Sequence, residues 1–370
     1  MRQFDYVTPP SADEAIGLLG RAQEHPSVRG EPFGELRGAP VEPHPSTSSG
    51  RTEGTAGSAH GVGAGIKALA GGTDLLTLMK AEIATPSLLV NVKDLAELQS
   101  GIREMPDGLS IGALTTLAEI ETSAFIRERF SALADACALA ATPQLRNMAT
   151  LGGNLLQRPR CWYFRNELFH CWLKGGDECQ ARDGENQQHA IFDQSPCVAV
   201  HPSDPPVALL ALNARVTLRG PAGERTLPLE DFFAAPTDER RTETVVSDDE
   251  LVVAIHISAP HAGERSTYLK AMDRKVWAFA MVSVAASVRI ERGNVAACRL
   301  VLGGVANVPW RATEAEQLLV GQAPDETLLR RVADAALEGA QPLAHNGYKL
   351  PLARSLVQRA LHTVVTRAMS

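Results

Sequence analysis

The sequence predicts an α+β fold, and three observations carry that reading. AMVSVAASVRIERG (280–293) and VAACRLVLGGV (295–305) read as two long strands joined at Arg292-Gly293-Asn294. Helical apolar patterns follow at about 311–320, 326–339 and 352–368, with no strand between them. Upstream, a glycine pair sits between a strand and a helix at Gly71-Gly72, and a second pair stands at Gly152-Gly153. Strands followed by a block of helices, rather than strict alternation, argue against a doubly wound sheet.

The elements can be taken in order. QFDYV (3–7) is a short strand, and Ser11 with Glu14 forms a capping-box pattern opening a helix to about Gln23. Residues 26–65 hold 9 Gly and 5 Pro in 40 positions, against 30 Gly and 23 Pro in all 370. That segment has no periodic apolar face to offset its ordering entropy, so it reads as a disordered surface insertion. IKALA (66–70) is a strand, DLLTLMK (74–80) a helix and LLVNV (88–92) a strand. IREM and LSIGA flank PDG, a hairpin signal, and Thr116 with Glu119 gives a second capping box. A helix covers about 124–141, another lies near 206–213, and ARVTLRG (214–220) and ELVVAIHIS (250–258) are strands. The polar stretch 235–248 reads as a linker between a domain at 1–240 and one at 250–370.

Composition narrows the function. Hydrophobic residues at 44% and charged residues at 21% are those of a globular chain long enough to bury a core without disulfide staples. A net charge of -7, aromatics at 5% and no basic run argue against nucleic acid as a partner. The N-terminus MRQFDYVTPP has no signal-peptide pattern, and no apolar run is long enough to span a bilayer. The expectation is a cytoplasmic chain, unless a folded complex is exported to the periplasm on a partner's twin-arginine signal.

Ala70-Gly71-Gly72-Thr73 is a turn in which consecutive backbone N–H groups can face one anion. It lacks the G-x-G-x-x-G spacing and the lysine of a nucleotide-hydrolysing loop. Alone it is a weak signal. TLGGN (150–154) repeats the logic with Thr150 and Asn154 as polar side chains. Two such loops suit a cofactor with a diphosphate and a long polar chain, as FAD has. Asp74 is awkward beside a phosphate and is expected to face away, towards backbone N–H groups.

Four segments in order, ALAGGTDLLTLMK, LLVNVKDLAEL, LSIGALTTLAEIE and ATPQLRNMATLGGNLLQ, resemble the flavin-binding subunits of the molybdenum hydroxylases. That family includes xanthine dehydrogenase, aldehyde oxidoreductase and carbon monoxide dehydrogenase. The similarity covers nearly the whole chain outside 26–65. It implies a vanillyl-alcohol-oxidase-like, PCMH-type FAD domain of two α+β subdomains, then a C-terminal α+β domain of the CO dehydrogenase flavoprotein type. It implies that Lys67, Ala68, Leu69, Ala70, Gly71, Gly72, Thr73, Asp74 and Leu75 wrap the FAD diphosphate. Thr115, Arg146, Asn147, Thr150, Gly153 and Asn154 would contact adenine-side and phosphate groups. Asp204 would lie near the ribityl chain and flavin, Lys270 near the isoalloxazine ring, and Val252 beside that ring.

Between the second glycine pair and Asp204, residues 158–203 form an insertion that most of the family lacks. It carries Cys161, Cys171, Cys179 and Cys197, separated by 9, 7 and 17 residues. Structural zinc favours C-x(2–4)-C pairs, which are absent. Isolated cysteines with Trp162, Tyr163, Phe164 and Trp172 nearby better suit a [4Fe–4S] cluster, with zinc, free thiols or disulfides as alternatives. His170, His189 and His201 could replace a ligand or serve as structural hydrogen-bonding residues. CWYFR, KGG, DGENQ-x-HAIF and C-x-x-x-HPSD resemble the flavin subunit of bacterial periplasmic aldehyde oxidoreductases, which implies the cluster.

The expected function is therefore an FAD and [4Fe–4S] electron-transfer subunit. Its expected partners are a molybdopterin large subunit, a [2Fe–2S] small subunit and an external electron acceptor. No residue of this chain is expected to be a catalytic acid, base or nucleophile. The alternatives are a stand-alone FAD oxidase of the vanillyl-alcohol type, for which no flavin-tether motif is evident, and a scaffold without flavin, against which the intact glycine loops argue.

Overall fold

The computed structural model describes residues 1–24, 65–98 and 101–369, so the segment expected to be a disordered insertion lies, apart from Gly65, outside the described residues. β1 (Asp5–Val7), β2 (Ile66–Leu69) and β3 (Leu88–Asn91) form a parallel sheet in the order β1-β3-β2. α1 (Ala12–Glu24) and α2 (Leu75–Lys80) lie within its connections. Ala15, Ile16 and Leu19 of α1 meet Val90 of β3 in one apolar cluster. That is the one-sided stripe a surface helix buries.

The second sheet is antiparallel and five-stranded. It contains β4 (Ile102–Met105), β5 (Gly108–Gly112), β6 (Arg215–Gly220), β7 (Gly223–Pro228) and β8 (Leu251–Ser258), in the order β4-β5-β8-β6-β7. Short helices complete this region: α3 (Leu117–Thr122), α4 (Ala124–Arg129), α5 (Ser131–Ala138), α6 (Pro143–Arg146), α7 (Leu151–Leu155), α8 (Pro205–Ala211) and α9 (Leu229–Phe232). The hairpin read from PDG is present. Gly108 is required there, because a Cβ would stand 2.1 Å from the Ile257 carbonyl oxygen. The capping box at α3 is also formed: Thr116 Oγ1 accepts from Glu119 N at 3.2 Å and Glu119 Oε2 accepts from Thr116 N at 2.7 Å.

The third sheet contains β9 (Glu264–Ala271), β10 (Val282–Glu291), β11 (Asn294–Gly303) and β12 (Trp310–Arg311), in the order β12-β11-β10-β9. Val282, Val284, Ala286 and Val288 of β10 face a cluster shared with α10 (Thr313–Leu319), α11 (Glu326–Ala335) and α12 (Lys349–Met369). Ala285, on the other face, joins the core of the second sheet with Leu133 and Ala208. The period-two alternation of a strand therefore joins two cores across one sheet.

Three differences from the sequence reading have plain causes. The helix expected at 124–141 is broken at Phe130, whose backbone leaves the helical region (φ -132, ψ 48) while its ring is buried. β8 does not open the C-terminal domain but pairs with β5 and β6 near the middle of the second sheet. β7 was not apparent because GERTLP is almost wholly exposed and carries no apolar alternation.

The cysteine insertion is clamped to the C-terminal helices. Lys349, fully buried, donates to the carbonyls of Gln188 (3.0 Å), His189 (2.9 Å) and Gly304 (2.6 Å). Asn346 Nδ2 donates to the carbonyls of His189 (3.1 Å) and Ala190 (2.9 Å). Replacing Lys349 with methionine leaves the Gln188 and Gly304 carbonyls without this donor, while His189 keeps Asn346, and we expect a loss of about 3 kcal/mol in chemical denaturation. A loss under about 1 kcal/mol would mean that those carbonyls find other donors.

Candidate flavin site

The first glycine loop joins β2 to α2. Gly72 has φ +71, a left-handed conformation that favours glycine. Gly71 faces the second loop so closely that a Cβ would lie 1.9 Å from the Met148 carbonyl oxygen. Among the described residues, the backbone N–H groups of Gly71, Gly72, Thr73 and Asp74 have no hydrogen-bond acceptor. Successive unpaired N–H groups on a glycine turn form an anion cradle.

Asp74 faces away from that cradle, as expected, but its partners come from the cysteine insertion. Oδ2 accepts the backbone N–H of Arg158 at 2.9 Å, and Oδ1 accepts from Arg165 Nη2 at 2.8 Å. Arg160 Nη2 stands 2.9 Å from the same Oδ1. Arg165 also donates to the carbonyls of Pro159 (2.7 Å) and Arg158 (2.8 Å). Arg158 pairs with buried Glu243 at 3.0 Å, whose carboxyl is pushed up by burial and held back by Arg158. The arginines of the insertion are thus anchors rather than a solvated face.

The second loop is more closed. Gly152 N donates to Ala113 O at 2.8 Å, Gly153 N to Thr150 Oγ1 at 3.3 Å, and Asn154 N to Thr150 O at 2.8 Å. Gly152 is needed for close packing, since a Cβ would meet the Ala113 Cβ at 2.9 Å. Gly153 and Asn147 are exposed. Thr115 and Arg146 have their side chains occupied. Thr115 Oγ1 bonds the N–H and the carbonyl of Gly101, while Arg146 forks onto Glu121 (2.7 and 3.1 Å) and reaches Ala140 O. Lys67 pairs with Asp248 at the surface, and Val252 is buried in the core across from Leu218.

Asn154 leads to the third group, because its Oδ1 accepts from Ser203 Oγ next to Asp204. Asp204 is fully buried. Its oxygens accept from Tyr268 Oη (2.6 Å) and Lys270 Nζ (2.8 Å), and Lys270 also donates to Leu139 O (3.0 Å). Burial pushes the Asp204 carboxyl up, and the Lys270 charge and the two hydrogen bonds pull it back. A buried charge pair of this kind holds when its remaining lone pairs are satisfied.

Asp204 lines a narrow open cleft with Arg160, Cys161, His189, His201 and Phe279. His201 is pushed down to about 4 by burial, and His189 to about 4 by burial and then by Lys349, so both rings are neutral at pH 7. Lys270 stands behind Asp204 rather than in the cleft wall.

The four cysteines of the insertion share one apolar cluster with Phe164, Trp172 and Leu173, and the described structure gives all of them as free thiols. Cys161 Sγ lies 3.1 Å from His189 Nε2. A hydrogen bond from the Cys197 thiol pulls Cys179 down to about 6, and Cys197 is pushed up. Burial raises Cys161 to about 12. Among the described residues, no three Cys, His, Asp or Glu side chains are gathered closely enough to hold a metal ion. The four-cysteine [4Fe–4S] ligand set expected from sequence is therefore not seen as a metal-binding group among the described residues. Cys137 and Cys298 are buried core residues, as expected.

A glycine turn with free N–H groups and a cleft beside a buried Asp–Tyr–Lys network, carried on α+β parts, suit a phosphate-bearing cofactor. Comparison with known proteins agrees. The family described as the FAD binding domain in molybdopterin dehydrogenase matches residues 53–260, and the CO dehydrogenase flavoprotein C-terminal domain matches 267–364. The chain is 38% identical over 307 residues to the aldehyde oxidoreductase FAD-binding subunit PaoB of Escherichia coli (strain K12), covering 82% of this chain and 92% of that one. It is 28% identical over 370 residues to the carbon monoxide dehydrogenase medium chain of Hydrogenophaga pseudoflava, covering 99% and 98%. A solved structure of the carbon monoxide dehydrogenase from that organism, lacking the Mo-pyranopterin moiety, superposes with a TM-score of 0.70 at 27% identity, covering 99% of this chain and 98% of that one. The chain belongs to the FAD-binding subunits of the molybdenum hydroxylase family, and is an oxidoreductase flavin subunit.

FAD fits the residues present: the unpaired N–H groups of the first loop suit its diphosphate. Sequence reasoning gave no binding role to Arg160 or Phe279, and did not single out Tyr268. Their signal was adjacency to Cys161 or to the Lys270 strand, which spacing alone does not convert into a shared cleft. A Gly71→Ala variant should lose most bound FAD, with affinity at least about tenfold weaker, because the new methyl forces the loops apart. Unchanged flavin absorbance and affinity would show that the two loops need not touch.

Proposed function

We propose that this chain is an FAD and [4Fe–4S] electron-transfer subunit, taking electrons from molybdopterin and [2Fe–2S] partner subunits and delivering them to an external acceptor. The flavin ring would occupy the cleft lined by Asp204. The observation that supports this best is that Cys161 and Asp204 line the same cleft. A cysteine of the candidate cluster group thus adjoins the candidate ring site.

When bound, FAD supplies exchange of electrons singly or in pairs, and an iron–sulfur cluster supplies a one-electron site. The N–H groups of Gly71 to Asp74 would hold the diphosphate. Asp204, fixed by Tyr268 and Lys270, would orient the cleft without itself exchanging a proton. Cys161, Cys171, Cys179 and Cys197 would hold the cluster. A single ion requires donors that converge on one point, whereas each thiolate of a cubane binds a different iron and stands apart from the others. The four thiols share one apolar cluster, within which Cys179 and Cys197 are close enough to hydrogen-bond. The apolar wall would limit access of water.

Partner subunits follow from the relatives' names, which include medium chains and FAD-binding subunits. Among the described residues no helix is long and apolar enough to cross a membrane.

Metal and cofactor analysis of anaerobically purified protein tests the reading. About four iron, four sulfide and one FAD per chain are expected. Zinc without iron would overturn the cluster. A Cys171→Ser variant should lose iron while keeping FAD. Turnover of an aldehyde or N-heterocycle by the isolated chain would overturn the subunit role.

A further inference from the structure

Arg160 sits where three parts of the chain meet. Its guanidinium pairs with Asp74 of the first glycine loop at 2.9 Å and with Gln157 Oε1 at 3.0 Å. It lies over the ring of Phe279, from the C-terminal part, at 5.0 Å to the centroid. It precedes Cys161 in the chain, and all of Arg160, Cys161 and Phe279 line the cleft. Its Nε is buried and has no hydrogen-bond partner among the described residues.

The local charge does not cancel. Two guanidiniums, Arg160 and Arg165, share the one Asp74 carboxylate, while Arg158 is matched by Glu243. Among these five groups one positive charge is left over. A partly desolvated charge acts there with less screening than at the surface. Reduction of a flavin adds negative charge to its ring system, so a cation beside the ring favours the reduced form.

We propose that Arg160 sets the reduction potential of the bound flavin, its position fixed by Asp74, Gln157 and Phe279 and its surplus charge directed at the cleft. This rests on the ring occupying that cleft, and variants are compared at equal iron content because thiolates at Cys161 and its neighbours would offset part of that charge. Four roles are thereby linked in one residue: it ties the glycine loop to the insertion, touches the C-terminal part, adjoins a cysteine and faces the cofactor site. Both contacts are made by the one Nη2 atom, so a lysine ammonium would keep the charge and could reach the same two acceptors.

The test is an anaerobic reductive titration of the FAD-loaded full chain, read by flavin absorbance. Arg160→Gln should lower the midpoint potential, and Arg160→Lys should stay near the parent value. An unchanged potential in Arg160→Gln with FAD still bound overturns the proposal. If that variant comes without flavin, Phe279→Leu decides: it frees the guanidinium from its ring contact and should lower the potential, and an unchanged potential overturns the proposal. Ala280→Trp, on the cleft wall, separates the two readings. If it retains FAD with an unperturbed spectrum, the ring lies elsewhere. If it loses FAD while Arg160→Gln leaves the potential unchanged, the cleft is right and Arg160 is not the determinant.

Discussion

The Asp74 carboxylate is the constraint on which the candidate site depends. It stands on the first glycine loop, yet its partners are the backbone N–H of Arg158 and the guanidiniums of Arg160 and Arg165, from the insertion. These groups are mostly out of solvent, with side-chain exposures of 15% for Asp74 and 16% for Arg165. Charge-assisted hydrogen bonds at such burial contribute about 1.5–3 kcal/mol each, and losing one partner strands the other in a poorly solvated place. The turn is thereby held with its own N–H groups free for a ligand. An acidic residue beside a phosphate cradle would repel the phosphate if its charge were bare; here two arginines outweigh it.

From that anchor the rest of the site follows by contact. Arg160 carries the link to Phe279 and the cleft, and Gly71 presses on the Met148 carbonyl to join the two loops. Asn154 passes the connection through Ser203 to Asp204, whose buried charge is fixed by Tyr268 and Lys270 on β9. At the far end, Lys349 and Asn346 share the carbonyl of His189, whose ring meets Cys161. All three sheets thus contribute to one set of polar contacts around the cleft.

Much of this was legible in the sequence, and the remainder had identifiable reasons to be hidden. Local signals worked where one rule acted alone: the capping box at Thr116 and Glu119, the hairpin at Pro106-Asp107-Gly108, and the glycine turn at 71–72. The order of four segments carried the family, and with it FAD. Helix 124–141 was misjudged at Phe130 because burial of one ring outweighed a helical pattern, and β7 because an exposed edge strand needs no apolar face. The candidate site was legible in its loops but not in its partners. Thr150 and Gly153 are spent largely on one another, and Arg146 on Glu121, which no spacing rule reveals. The use of Arg160 and Arg165 by a residue more than eighty positions upstream is a tertiary fact. The cysteine pattern was visible as a cluster of residues, whereas its geometry, one apolar group rather than a convergent donor set, was not.

The most direct measurement of the central claim is a double-mutant cycle between Asp74→Asn and Arg165→Met, with FAD dissociation as the readout. If the carboxylate holds the glycine loop through the insertion's arginines, the two changes should be strongly non-additive, with a coupling of about 1.5 kcal/mol or more. Additive losses, with coupling within about 0.3–0.5 kcal/mol of zero, would contradict it. The loop would then keep its shape without the insertion, and Asp74 would be a bystander rather than the hinge of the site.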